Sequence, residues 1–254
     1  MELRVTGAGP AAPFLGARDV FETSHDLDRA VEVRVRENPD ERTWAGHYDD
    51  HHVLNISRQA ATSAMARELA LHEFAHMHCH EGGHPSHLLS MDEVLFLALT
   101  GREIERRVLS HCYQIANHVK DIYADDITLS VGPTDKLRSF LESELAAAVA
   151  DRPVARPWAG QRLTAGAEPS MTAVNAAFAL ALLERHDAIP DGHRLYDLAH
   201  AAGEDAPEID VDAFRERFVD LGPDPDESDC RRGLVDTIRT YVDAQETTTG
   251  PAAD

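Results

Sequence analysis

The stretch SRQAATSAMARELALHEFAHMHCHEGG, residues 57–83, decides how the N-terminal part of the chain folds. It is rich in alanine, has no glycine or proline before its last two residues, and distributes apolar side chains almost all the way around a helix. We therefore predict one largely buried helix from Arg58 to about His80. Ser57 is the expected N-cap, and Gly82-Gly83 are expected to end the helix.

This helix carries an HExxH motif, HEFAH, at His72–His76. Residues four apart lie on the same helix face about 6 Å from each other, so His72 and His76 can bind one Zn²⁺ through their imidazole nitrogens. Glu73 can then act as general base toward a water molecule that the metal activates. The motif predicts a zinc-dependent hydrolase with His72 and His76 as metal ligands and Glu73 as the catalytic base.

A catalytic zinc site needs a third protein ligand. The metzincin pattern does not supply it, because Cys79 and Gly82 stand where that pattern requires glycine and histidine. The third ligand must come from another part of the chain.

A second helix, predicted for residues 102–126, offers that ligand. Asn117, Asp121 and Asp125 follow one another at four-residue spacing and form a polar stripe on an otherwise apolar helix. Asp121, at the centre of the stripe, is the favoured ligand. His118 and Asp125 remain the alternatives.

The remaining segments indicate an α+β fold. The first fifty residues are predicted as strands and turns, with a strand at ELRV near the start and another at Ala30–Arg36, and a further strand follows at His51–Ser57. Ser90 and Glu93 form a capping box that opens a helix to about residue 100. Helices are also predicted at residues 170–186, 193–202, 211–221 and 228–245.

We therefore expect a small N-terminal β-sheet packed on the HExxH helix and on a second ligand-bearing helix, followed by a mostly helical C-terminal region. The predicted catalytic domain covers residues 1–150. A Pro/Gly-rich linker covers residues 151–169, helices cover residues 170–246, and a flexible tail covers residues 247–254.

The order of a strand, an HExxH helix and a helix with an N-x-x-x-D pattern resembles a compact zincin of the gluzincin or minigluzincin type. More narrowly, HEFAH, GGHPSH and QIANHVKDIYADD together resemble a family of uncharacterised, metallopeptidase-like proteins of halophilic archaea. The resemblance covers about residues 50–130 and makes the first 150 residues a zincin-like catalytic domain.

The resemblance implies a metallopeptidase that holds Zn²⁺ with His72, His76 and Asp121. It also implies that Asp125 holds a ligand histidine in the required tautomer. Residues 51–57 would form the sheet edge on which an extended peptide substrate lies. The chain departs from the better-known gluzincins in having Asp where they have Glu at the third ligand, and this shorter side chain requires the two helices to lie closer together.

The charge of the chain excludes some classes of partner. With 45 acidic and 24 basic residues the formal charge is −21, which repels nucleic acids and anionic membrane surfaces. Such a surface is typical of proteins adapted to high salt, where screening is strong. The N-terminus has no signal-peptide pattern, no apolar stretch approaches the length of a membrane span, and the three cysteines form no CxxC pair. We expect a cytoplasmic protein.

Four questions stay open at this point. A non-catalytic zincin-fold protein that binds metal for regulation or interaction is the alternative function, although a structural zinc would need no Glu73. Metal handling by the histidine-rich segment 78–87, with Cys79, is a third hypothesis. The side chain that stabilises the transition state could be any of four residues: His84, His111, Tyr113 or Tyr123. The oligomeric state is not predicted.

Overall fold

The computed structural model describes residues 1–39, 43–151 and 168–248, with side chains described through residue 246. These residues form the predicted α+β fold, with a small N-terminal sheet and a mostly helical C-terminal region. The strands are β1 (Leu3–Gly7), β2 (Ala30–Arg36), β3 (Trp44–His47) and β4 (His51–Ser57). The helices are α1 (Ala12–Phe21), α2 (Arg58–Ala61), α3 (Ala66–Glu81), α4 (Pro85–Leu88), α5 (Met91–Leu99), α6 (Arg106–Val131), α7 (Thr134–Ala150), α8 (Pro169–Arg185), α9 (Arg194–Asp205), α10 (Val211–Val219) and α11 (Glu227–Thr248).

The sheet has the strand order β1-β2-β4-β3. Strands β1, β2 and β4 are parallel, and β3 is antiparallel to β4. The expectation that residues 51–57 form the sheet edge is therefore wrong, since β4 lies between β2 and β3. The reason is a tight turn in which the Tyr48 amide donates to the His51 carbonyl and folds β3 back along β4.

The predicted helix from Arg58 to His80 is two helices, α2 and α3, separated by a turn at residues 62–65. The hydroxyl of Thr62 donates to the Arg58 carbonyl, and the hydroxyl of Ser63 donates to the Ala60 carbonyl. These local bonds offer the backbone carbonyls an alternative to the helical pattern, which explains why the helix is interrupted here.

The predicted caps at Ser57 and Ser90 and the predicted helix end at Gly82-Gly83 are confirmed. Ser57 caps α2 by accepting a hydrogen bond from the Ala60 amide, and Ser90 caps α5 by accepting one from the Glu93 amide. Helix α3 ends at Gly82, and Gly83 follows with φ of +71°, a left-handed conformation that glycine adopts without strain.

The chain divides into two compact units. Unit 1 comprises residues 1–88 and 120–136, and unit 2 comprises residues 89–119 and 137–254. This division differs from the predicted boundary at residue 150, because α6 contributes its first half to unit 2 and its second half to unit 1. The predicted linker lies mostly in residues 152–167, outside the described part of the chain, as do residues 249–254 of the predicted tail.

The core of unit 1 lies between the sheet and the helices α1 and α3. Phe14 and Phe21 from α1, Val33 from β2, and Leu71 and Phe74 from α3 are completely buried in one apolar cluster. The rings of Phe21 and Phe74 meet edge to face with centroids 6.1 Å apart. Helix α1, which the sequence pattern did not predict, is held in place by this core. The rigid packing of α3 fixes the direction of the side chains on its remaining face.

Unit 2 is helical. Helix α8 packs against α9 and α10, and α5 packs against α11. The four helices predicted after residue 169 are all present, whereas α7 was not predicted. No helix in the described ranges combines the length and the apolar character that a membrane span requires.

Candidate metal centre

Helix α3 presents His72 and His76 one turn apart on the same face. Its other faces are anchored in the core by Leu71, Phe74 and Ala75, all completely buried. The two imidazole rings meet edge to face, and their Nε2 atoms lie 2.9 Å apart. The i, i+4 spacing thus brings the two nitrogens to one point, as the motif predicts.

Helix α6 brings Asp121 to the same point. Its Oδ1 lies 3.2 Å from Nε2 of His76 and 3.8 Å from Nε2 of His72. The ligand atoms of His72, His76 and Asp121, which we call the converging group, lie within 4.8 Å of one another. All three side chains are partly exposed. Among the described residues this is the only group of three or more His, Cys, Asp or Glu side chains arranged so that it could hold a metal ion.

Asp125, one turn further along α6, contacts the other nitrogen of His72. Its Oδ1 lies 2.7 Å from Nδ1, and its side chain is only 6% exposed. A carboxylate only accepts hydrogen bonds, so Nδ1 of His72 carries the proton and donates it to Asp125. Asp125 therefore orients His72 and is not a member of the converging group.

The surroundings of His72 favour positive charge. Burial lowers the pKa of His72, but the carboxylates of Asp125, Asp121 and Glu73 more than offset this effect and raise the pKa to about 10. The neighbouring carboxylates thus stabilise the protonated form of the His72 ring.

Glu73 follows His72 directly in helix α3. Its side chain is half-buried, and its charge contributes to the raised pKa of His72.

His118, the alternative third ligand, contacts other partners. Its Nε2 lies 2.8 Å from Oδ1 of Asn175, and its ring stacks on Phe178 with centroids 4.4 Å apart. All three residues belong to unit 2, whereas His72, His76 and Asp121 belong to unit 1. His118 is not part of the converging group.

His87 is a site residue that sequence reasoning did not single out. Its Nε2 lies 2.7 Å from Nδ1 of His76, so it contacts the ring on the side opposite the converging group. Burial, reinforced by the neighbouring His76, Lys120 and His84, lowers the pKa of His87 to about 2 and keeps the ring neutral. The only sequence signal was the density of histidine, with six of the 15 between residues 72 and 87.

A second histidine cluster lies at the end of β3 and the start of β4. Nδ1 of His47 lies 3.0 Å from Nδ1 of His52, whose Nε2 lies 2.9 Å from the Glu81 carboxylate. The same carboxylate accepts hydrogen bonds from the backbone amides of residues 28 and 29. Burial lowers the pKa of His47 to about 4 and also lowers the pKa of His52. This network ties the end of α3 to the sheet.

The four candidates for transition-state stabilisation fall into two sets. His84 and Tyr123 belong to unit 1, where their rings pack with centroids 4.5 Å apart. His111 is hydrogen-bonded to Tyr241 within unit 2, and Tyr113 donates to Asp92 in the same unit. Only the first pair shares a unit with the converging group.

Cys79 does not take part in the converging group. Its thiol is buried, and this burial raises its pKa to about 11, which disfavours the thiolate that binds metals.

Comparison with known proteins places the chain in one family. No curated protein and no solved structure matches it significantly. A family model described as a family of unknown function, DUF5781, matches residues 1–243. Since this match covers nearly the entire sequence, the chain belongs to the DUF5781 family.

Proposed function

We propose that this protein is a zinc-dependent hydrolase, and specifically a metallopeptidase that cleaves peptide bonds. The observation that carries the proposal is the convergence of His72 Nε2, His76 Nε2 and Asp121 Oδ1 on one point, in a motif where Glu73 directly follows His72. The resemblance of the sequence to zincins supports the same function.

The donor set fits zinc. Ligand atoms around a tetrahedral zinc ion with bonds of 2.0–2.1 Å lie about 3.3 Å apart. The three separations of 2.9, 3.2 and 3.8 Å bracket that value. Two imidazoles and one carboxylate are three protein ligands, which is the number typical of catalytic rather than structural zinc sites.

Each residue has a distinct chemical role in this proposal. A bound zinc ion would polarise the scissile carbonyl and make water more acidic. His72, His76 and Asp121 would hold it, and Asp125 keeps His72 in the tautomer whose Nε2 is available. Glu73 would take a proton from the attacking water and deliver it to the departing amine.

The sheet offers a place for an extended peptide. Strand β3 packs against α3, and within the described residues its outer edge pairs with no other strand. Addition of a peptide strand there would use the unpaired backbone groups of residues 44–47. A peptide or protein substrate is therefore the partner that we propose.

The charge of −21 supports a cytoplasmic, salt-adapted protein that binds neither nucleic acid nor membranes. Zinc binding and peptide cleavage should be assayed in high salt, where repulsion among the 45 acidic side chains is screened.

The test compares wild type with Glu73→Gln. We expect one zinc per chain in both proteins, and a loss of peptide cleavage of roughly 10²–10⁴-fold in Glu73→Gln, because the amide cannot accept the proton. Glu2→Gln, which removes the same charge from an exposed position, is the matched control and should cleave like wild type. Stoichiometric zinc without Glu73-dependent cleavage would contradict the enzyme and favour the non-catalytic metal-binding protein.

A further inference from the structure

The segment after α3 folds back so that His87 lies against His76. The left-handed Gly83 reverses the chain, and the His84 amide donates to the Cys79 carbonyl. The short helix α4 follows directly and includes both Ser86, which is completely buried, and His87. The contact between His87 Nε2 and His76 Nδ1 is thus built by the backbone of this turn.

The Ser86 amide determines the direction of the hydrogen bonds in this segment. It donates to Nδ1 of His84 at 3.3 Å, so that nitrogen carries no proton. The Ser86 hydroxyl lies 2.8 Å from the same nitrogen and must therefore donate to it. A hydroxyl has one proton, so its second contact, at 2.8 Å from Nδ1 of His87, runs the other way: His87 Nδ1–H donates to Ser86 Oγ.

The same order of hydrogen-bond donors and acceptors continues to the metal centre. An imidazole whose single proton lies on Nδ1 presents Nε2 as an acceptor, and Nε2 of His87 lies 2.7 Å from Nδ1 of His76, which donates to it. Nε2 of His76 is then left with its lone pair directed toward His72 Nε2 and Asp121 Oδ1. A zinc ligand must present such a lone pair.

We propose that Ser86 and His87 are positioning residues that hold His76 in the tautomer able to bind a divalent cation through Nε2. The inference rests on the metal centre of the proposed function and extends it beyond the HExxH motif. The two ligand histidines are thus supported differently: His72 by a carboxylate, His76 by a neutral chain that starts at a backbone amide.

The first test measures zinc affinity by chelator competition, using the full-length protein in high salt. We expect His87→Leu to lose roughly 10–100-fold in affinity, as is typical when a hydrogen-bond partner of a ligand histidine is removed. Ser86→Ala should show a smaller loss. His87→Gln should recover most of the affinity, because its amide oxygen can accept from His76 near the position of Nε2. His51→Leu and Ser63→Ala, which change residues outside this chain of hydrogen bonds, are the controls.

The second test detects the tautomer directly. In chelator-treated wild type, two-bond ¹⁵N–¹H correlation spectra should show His76 protonated at Nδ1 only, and this signature should be lost in His87→Leu. Unfolding midpoints of the same metal-free samples separate this effect from loss of fold.

The inference is overturned if wild-type His76 carries its proton on Nε2, or if His87→Leu, folded like wild type, binds zinc within twofold of wild type. Both measurements are independent of turnover. A protein that binds zinc through this tautomer but cleaves no peptide would contradict the hydrolase and leave the role of Ser86 and His87 intact.

Discussion

The two halves of α6 both carry polar side chains, and these side chains have different neighbours. In the half that belongs to unit 2, His111 is hydrogen-bonded to the buried Tyr241 and His118 to Asn175. In the half that belongs to unit 1, Asp121 and Asp125 contact ligand-like histidines of α3. One regular helix thus supplies core histidines in its first half and candidate metal chemistry in its second.

The difference shows that the neighbours of a polar side chain, rather than its type, decide its role. His118 contacts the amide oxygen of Asn175 and stacks on Phe178. His72 faces three carboxylates, which stabilise a positive charge. A variant that alters one half of α6 should therefore change metal binding or stability, but not both.

The largest expected effect comes from Asp121→Ala, which removes one of three converging ligand atoms. We expect zinc affinity to fall by more than the roughly 100-fold upper range seen when a residue that only orients a ligand is removed. His118→Ala should leave zinc affinity unchanged, as should Asn117→Ala at an exposed position of the same helix. Chelator competition measures all three. A greater loss in His118→Ala than in Asp121→Ala would reverse the assignment of the third ligand.

Asp125→Ala should have an intermediate effect. It leaves Nδ1 of His72 without its acceptor, and we expect a loss of roughly 10–100-fold in zinc affinity, measured by the same chelator competition. Asp125→Asn should lose less, since the amide oxygen still accepts from Nδ1. Asp126→Asn removes the same charge at the next position and serves as the control. A loss in Asp125→Asn as large as that in Asp125→Ala would mean that the charge of Asp125, and not its hydrogen bond, matters.

Tyr241→Phe is expected to leave the zinc affinity of the metal centre unchanged. This variant removes the partner of the buried His111 and should lower the free energy of unfolding by about 1–3 kcal/mol. Denaturant unfolding of the metal-free protein measures this loss, and zinc affinity should stay within twofold of wild type. A large loss of zinc affinity would show that the two halves of α6 are coupled.

Much of the candidate site can be predicted from spacing. Residues four apart on a helix share a face whatever the rest of the fold, so the HExxH spacing is enough to pair His72 with His76. The same rule sets Asp121 and Asp125 on one stripe of α6. The choice among Asp121, His118 and Asp125 does not follow from the sequence, because spacing along α6 does not say which of its faces meets α3.

Other features depend on contacts between distant segments. Helix α1 follows a run of glycines and prolines and is held by burial of Phe14 and Phe21 in the core. Strand β3 is short and is stabilised by its antiparallel pairing with β4. The break between α2 and α3 comes from the hydroxyls of Thr62 and Ser63, whose bonds to the backbone compete weakly with a helix that the composition favours.

By itself, the sequence determined the α+β class, the strongly acidic surface and the HExxH pair, because composition and helical periodicity act locally. Tertiary structure alone decided that Asp121 joins that pair, that Asp125 orients His72, and that Ser86 and His87 reach His76. These contacts join α3 to α6 and to the turn that carries α4. They depend on the direction in which the core holds each element, which no spacing along the chain specifies.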